Sequence, residues 1–118
     1  TPINTLTETQ ADEKWFNRLN EIIQENISNT EFSVDQLTRS VNMSRTLLYA
    51  KVKAVTGLTP NEFIRLVRLR KAAEYLARNE YKINEICYMV GFNSPSYFAK
   101  CFQNQFGVLP KDFINNTN

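Results

Sequence analysis

The sequence predicts an all-α fold: two helix-turn-helix subdomains joined by a long linker helix, about seven helices in all. Three observations lead there. Apolar residues recur at spacings of three and four, and no segment alternates apolar with polar side chains as a half-buried strand does. The chain also repeats itself. Val34, Leu37, Val41 and Met43 match Ile83, Ile86, Val90 and Phe92 at an offset of 49, and Leu48, Val52, Gly57, Pro60 and Phe63 match Phe98, Phe102, Gly107, Pro110 and Phe113 at an offset of 50. The one slipped residue falls in a turn near Asn93. Finally, cap residues and glycines punctuate both copies at matching places.

The elements follow in order. Residues 1–13 are polar and read as a flexible lead-in. Trp15, Phe16, Leu19, Ile22, Ile23 and Ile27 then predict a first amphipathic helix over roughly residues 12–26. Ser33 followed by Gln36 is a capping box that opens a second helix ending near Val41. Asn42 and Met43 make the turn. Ser44 caps a third helix to about Thr56, and Gly57 suits the left-handed position beyond it. Thr59, Pro60 and Glu62 give a cap, a first-turn proline and a reciprocal acceptor, opening a long helix to about Arg78. Helices over roughly 84–90 and 95–105 repeat the second and third, with Gly107 as the matching glycine. Pro110 starts a short last helix ending near Asn115. The expected organisation is a first unit over residues 14–57, a linker helix over 59–78, a second unit over 82–114 and a disordered tail over 115–118.

Composition bounds the chemistry. A chain of 118 residues supports one modest core, and no apolar run approaches the length of a membrane span, so no membrane contact is expected of this segment. The first residues lack a signal-peptide core, and a start at threonine suits a fragment of a longer protein or a processed form. There is no histidine, which excludes histidine-based acid–base catalysis and histidine metal sites. The carboxylates are scattered and no glycine-rich phosphate loop exists, so neither an enzyme nor a cofactor site is implied. Cys87 and Cys101 fit no zinc spacing and lie in apolar stripes, as buried free thiols in a reducing cytoplasm do.

The net charge of +2 hides an uneven distribution. Residues 1–43 hold three basic against seven acidic side chains, residues 44–78 hold eight against two, and residues 79–118 balance at three each. Positive charge gathered on the middle third suits a surface that faces a polyanion. At ~100° per residue, Thr46, Tyr49, Ala50 and Lys53 share one face of the third helix, opposite Leu48, Val52 and Val55. Ser96, Tyr97, Lys100 and Gln103 likewise lie opposite Phe98 and Phe102 in the sixth, with Cys101 beside those two rings. The outward faces carry the donors and acceptors that base edges and phosphates require. On the long helix, Phe63, Val67, Leu69, Ala73 and Leu76 are expected to serve both halves, while Arg65, Arg68 and Lys71 fall within ~120° of arc as candidate phosphate contacts. That helix, ~28 Å long, is expected to hold two reading helices near the ~34 Å repeat of successive major grooves.

These residues carry a resemblance. Over about Trp15 to Ile114 the chain resembles the AraC/XylS family of bacterial transcription regulators, most specifically in INEICYMVGFNSPSYFAKCFQNQFGVLPKDFI. The opening stretch further resembles the output ends of hybrid two-component regulators. The resemblance implies a double-stranded DNA operator, RNA polymerase as a further partner, and pairing of two copies of the full-length protein. It implies base contacts from Thr46, Tyr49 and Ala50, and from Pro95, Ser96, Tyr97 and Lys100. It implies phosphate contacts from Arg45, Lys51, Lys53 and Arg68. Ala50 stands where a longer polar residue is frequent, which leaves a thymine-methyl contact. Pro95 has no donor to offer. Cys87 replaces the usual alanine, and Leu109 replaces the usual cap before Pro110. The competing reading is a helical protein-interaction module, which requires Trp15, Phe16 and other apolar side chains to form an exposed patch.

Overall fold

The computed structural model describes the backbone of residues 2–117 and the side chains of residues 10–114. The described residues form seven α-helices: α1 (Pro2–Glu25), α2 (Val34–Val41), α3 (Arg45–Thr56), α4 (Pro60–Arg78), α5 (Ile83–Met89), α6 (Pro95–Phe106) and α7 (Pro110–Thr117). α1 starts ten residues before its expected start, so the polar segment expected to be a lead-in is helical from Pro2. Proline suits a first helical position, and no glycine or second proline interrupts the helix before Glu25. α7 runs to Thr117 and takes in most of the expected tail; Asn118 lies outside the described residues.

Contacts divide the chain into two compact units. Among the described residues, the first holds residues 2–25 and Ser33–Phe63; the second holds Asn26–Phe32 and residues 64–117. In the first unit α1 packs on α2 and α2 on α3. Leu19, Ile22 and Ile23 of α1, Val34 and Leu37 of α2, and Leu48 and Val52 of α3 are buried there. Phe16 meets Phe63 of α4 with ring centres 5.4 Å apart. Trp15 donates its indole N–H to the Met43 sulfur at 3.3 Å. Trp15 and Phe16 are therefore half-buried packing residues and not the exposed pair that the interaction-module reading expects. Val55 was expected on the inner face and is 41% exposed. It lies in the last turn of α3, and α2, at about 12 Å, is too short to cover a helix of about 18 Å.

In the second unit α5 packs on α6 and α6 on α7. The core joins Leu69, Ala72 and Leu76 of α4, Ile86 and Cys87 of α5, and Phe98, Cys101 and Phe102 of α6. Aromatic rings run through it, from Phe92 to Phe98 at 5.2 Å, to Phe102 at 5.9 Å and on to Phe106 at 4.6 Å. Both cysteines are buried and free.

The local reasons for the helix ends are those read from the sequence. The Ser33 N–H donates to Gln36 Oε1 at 3.1 Å. Thr59 and Glu62 cap α4 reciprocally, at 2.9 and 3.2 Å. α7 has no hydroxyl cap; the Leu109 carbonyl accepts from Asp112 and Phe113 at 3.0 and 2.9 Å.

Candidate nucleic-acid interface

Each unit presents one helix whose start is built in the same way. In the first, Asn42 takes a left-handed backbone at φ 54° and turns the chain out of α2. The Ser44 hydroxyl then accepts from the Leu47 N–H at 3.1 Å. In the second, Gly91 makes the turn at φ 91°, and the Ser94 hydroxyl accepts from the Tyr97 N–H at 3.3 Å. Asn93 is the extra residue between turn and cap, which explains the slip in the repeat. Gly57 and Gly107 close the two helices in left-handed conformation, each donating to the carbonyl four residues back at 2.8 Å.

The outer faces emerge as read. Thr46, Tyr49, Ala50 and Lys53 of α3 are exposed, as are Ser96, Tyr97, Lys100 and Gln103 of α6. Tyr97 is 49% exposed, yet its ring rests 6.0 Å from that of Phe92. The ring is thus supported by Phe92 while about half of the side chain stays in water. Ser94 and Ser96 share a hydrogen bond at 3.2 Å, and Pro95, at the first helical position, is partly covered. A shallow cleft of the second unit is lined by Arg65, Leu69, Tyr97, Lys100, Asn104 and Gln105. Two cations, two amides and a phenol around one concavity suit a phosphate beside a base-reading face.

The basic residues differ in what holds them. Arg45 is exposed and pairs with Asp35 at 2.5 Å, a surface pair weak enough to be exchanged for a phosphate. Lys51 lies over the Trp15 ring at 4.6 Å, and Lys53 is exposed. Lys71 is partly covered, pairs with Glu74 at 3.2 Å and lies 5.4 Å from the Tyr75 ring centre.

Arg68 corrects the sequence reading. It is 7% exposed, and its guanidinium donates to the carbonyls of Ile27 at 2.7 Å, Val90 at 2.8 Å, Asn29 at 3.2 Å and Phe32 at 3.5 Å. Desolvation pushes its pKa below the ordinary guanidinium value, though an arginine remains charged at any working pH. With both terminal nitrogens committed to backbone carbonyls and the side chain 7% exposed, this guanidinium faces the protein and not a phosphate. The expected arc of Arg65, Arg68 and Lys71 is broken at its centre, and Arg65 is the member that reaches the reading helix.

Three residues escaped the sequence reading. Asn104 and Gln105, inside the expected span of α6 but on neither face singled out there, line the cleft with Arg65. Leu47 is 55% exposed on α3, the most exposed of the large apolar side chains described. The signal for it was the repeat itself: at the offset of 50, Leu47 falls on Tyr97.

The comparisons agree with this geometry. The profile of a family described as a helix-turn-helix domain matches residues 37–116. The chain is similar to histidine kinase P4 of Formosa agariphila, 41% identical over 110 residues that cover 93% of this chain and 8% of that protein. It is also similar to the HTH-type transcriptional regulator MtrA of Neisseria gonorrhoeae, 34% identical over 98 residues, 81% of this chain and 33% of that one. The chain thus spans only a small part of either relative. Among solved structures, the C-terminal domain of AraT, a response regulator from Geobacillus stearothermophilus, superposes with a TM-score of 0.77 at 27% identity, over 85% of this chain and 83% of that one.

Proposed function

The chain belongs to the AraC-type helix-turn-helix family, and from that membership we propose that it is the DNA-reading module of a bacterial transcription regulator. α3 and α6 enter successive major grooves of a double-stranded operator. Thr46, Tyr49 and Ala50 meet base edges from the first, and Ser96, Tyr97 and Lys100 from the second, with Pro95 packing at its start. Arg45, Lys51, Lys53, Arg65 and Lys71 meet phosphates. Lys51 must leave the Trp15 ring to do so, and Lys71 must leave Glu74. The helix starts add backbone N–H groups and a positive dipole end.

The observation that carries this reading is the matched pair of serine-capped helices, each with its polar face left in water at the same register. A core helix has no reason to repeat such a face. The module has no catalytic task. Signal sensing belongs to other domains of a two-component protein, with phosphorylation controlling the pairing of two full-length copies in the cytoplasm and RNA polymerase as the downstream partner. The similarity to a histidine kinase and to a response regulator's C-terminal domain supports that setting.

Gel-shift titration over a salt series tests the core of it, using duplexes enriched from random DNA and scrambled controls. Tight, selective binding that weakens steeply with salt is the expected result, because lysines and arginines displace condensed counterions. Equal affinity for every duplex would remove sequence specificity, and no binding at low salt would remove the function.

A further inference from the structure

We propose that Leu47 is a specificity-determining residue of α3 that recognises the 5-methyl group of a thymine in the major groove; this rests on the DNA reading above. Leu47 is 55% exposed, although apolar side chains elsewhere on α3, Leu48 and Val52, are fully buried. It is the third residue of the helix, in the N-terminal turn from which a reading helix meets base edges. Its backbone is fixed there, because its N–H is the donor to the Ser44 cap.

The surroundings keep the side chain bare. On a helix its neighbours are the residues three and four positions on, here Ala50 and Lys51. Ala50 is too short to shade it, and Lys51 is drawn toward the Trp15 ring. In the second unit the equivalent position holds Tyr97, also half exposed and on the polar reading face. The position therefore faces outward in both copies, and the first copy fills it with a group that neither donates nor accepts a hydrogen bond. The apolar feature that base edges offer in the major groove is the thymine methyl.

Deoxyuridine tests this directly, since it differs from thymidine only by that methyl. The 118-residue chain would be used to enrich a duplex from random DNA, and each thymine of that duplex replaced singly by deoxyuridine. At one position the wild-type chain is expected to lose about fourfold in affinity, the worth of one buried methyl group. Leu47→Ala should bind the thymine and uracil duplexes alike at that position while melting at an unchanged temperature. Leu47→Met should restore the preference. Indifference of the wild type to every methyl, or the same loss in Leu47→Ala as in the wild type, would overturn the assignment and leave DNA binding intact. Failure to enrich any duplex would overturn DNA binding and this assignment with it.

Discussion

The Arg68 guanidinium fills the space in which Gly91 would carry a side chain. A Cβ at Gly91 would strike Arg68 Nη1 and lie 2.6 Å from Cζ. The same guanidinium binds the carbonyl of Val90, the residue before the glycine. Gly91 also sits at φ 91°, where side chains are strained in any surroundings. Steric room, backbone conformation and hydrogen bonding thus converge on one turn, three residues before the cap of α6.

Gly91→Ala is expected to cost about 3 kcal/mol or more, combining backbone strain with displacement of a packed group. Gly107→Ala provides the contrast. Gly107 has the same hand of backbone, at φ 81°, but a Cβ there meets nothing within 4 Å. Strain alone remains, worth about 1 kcal/mol. A Cβ at Gly91 would also strike the Ile27 carbonyl oxygen, so urea midpoints compare the two sites directly, and equal midpoints would show that Arg68 and that backbone both yield their space freely.

Arg68→Gln and Arg65→Gln should separate stability from DNA contact. Arg68→Gln removes most of the donors from four carbonyls and is expected to cost about 3 kcal/mol in urea unfolding. Its slope of log affinity against log salt should match the wild type. Arg65→Gln should keep its stability and shallow that slope by about 0.9, one phosphate's share. A shallower slope for Arg68→Gln would mean that the guanidinium reaches DNA after all.

Phe98 and Tyr97 are neighbours in sequence with opposite tasks. Phe98 is fully buried among Phe92 and Phe102, so Phe98→Ala should destabilise by about 3–5 kcal/mol. Tyr97→Ala should melt close to the wild type while losing about 1–3 kcal/mol of affinity for the enriched duplex. Calorimetry and gel shift on both variants read the two effects apart; a large fall in the Tyr97→Ala melting temperature would place that ring in the core.

Burial pushes the Cys87 thiol above its ordinary pKa. A raised thiol pKa means less thiolate at any given pH, and thiolate is the reactive form. Iodoacetamide at neutral pH should therefore spare Cys87 in the folded chain, with labelling rising as pH rises and jumping on addition of urea. Peptide mass spectrometry distinguishes it from Cys101. Rapid labelling of native Cys87 at neutral pH would contradict its burial.

The parts legible in the sequence are those set by local chemistry. Ser33, Ser44, Thr59 and Glu62 cap where cap residues are expected, and the buried leucines and phenylalanines lie at helical spacing. Helix periodicity gives the angle of a residue but not what lies opposite it. Arg68 lay on a plausible basic arc, and its partners are carbonyl oxygens, which no side-chain pattern announces. Val55 failed for a related reason, since its angle was inward but its partner helix ended too soon. Leu47 was placed on neither face, because the outward face was sought by its hydrogen-bonding groups and a leucine has none.

The segment Asn26–Phe32 lies in sequence between two parts of the first unit but packs with the second, where three of its carbonyls hold Arg68. No single cut therefore yields two complete halves. A fragment opening at Ile64 would carry the arginine but leave it only the Val90 carbonyl. Dissecting the two reading heads calls for point substitutions within the intact chain, or for a permuted gene that restores residues 26–32 to the second half.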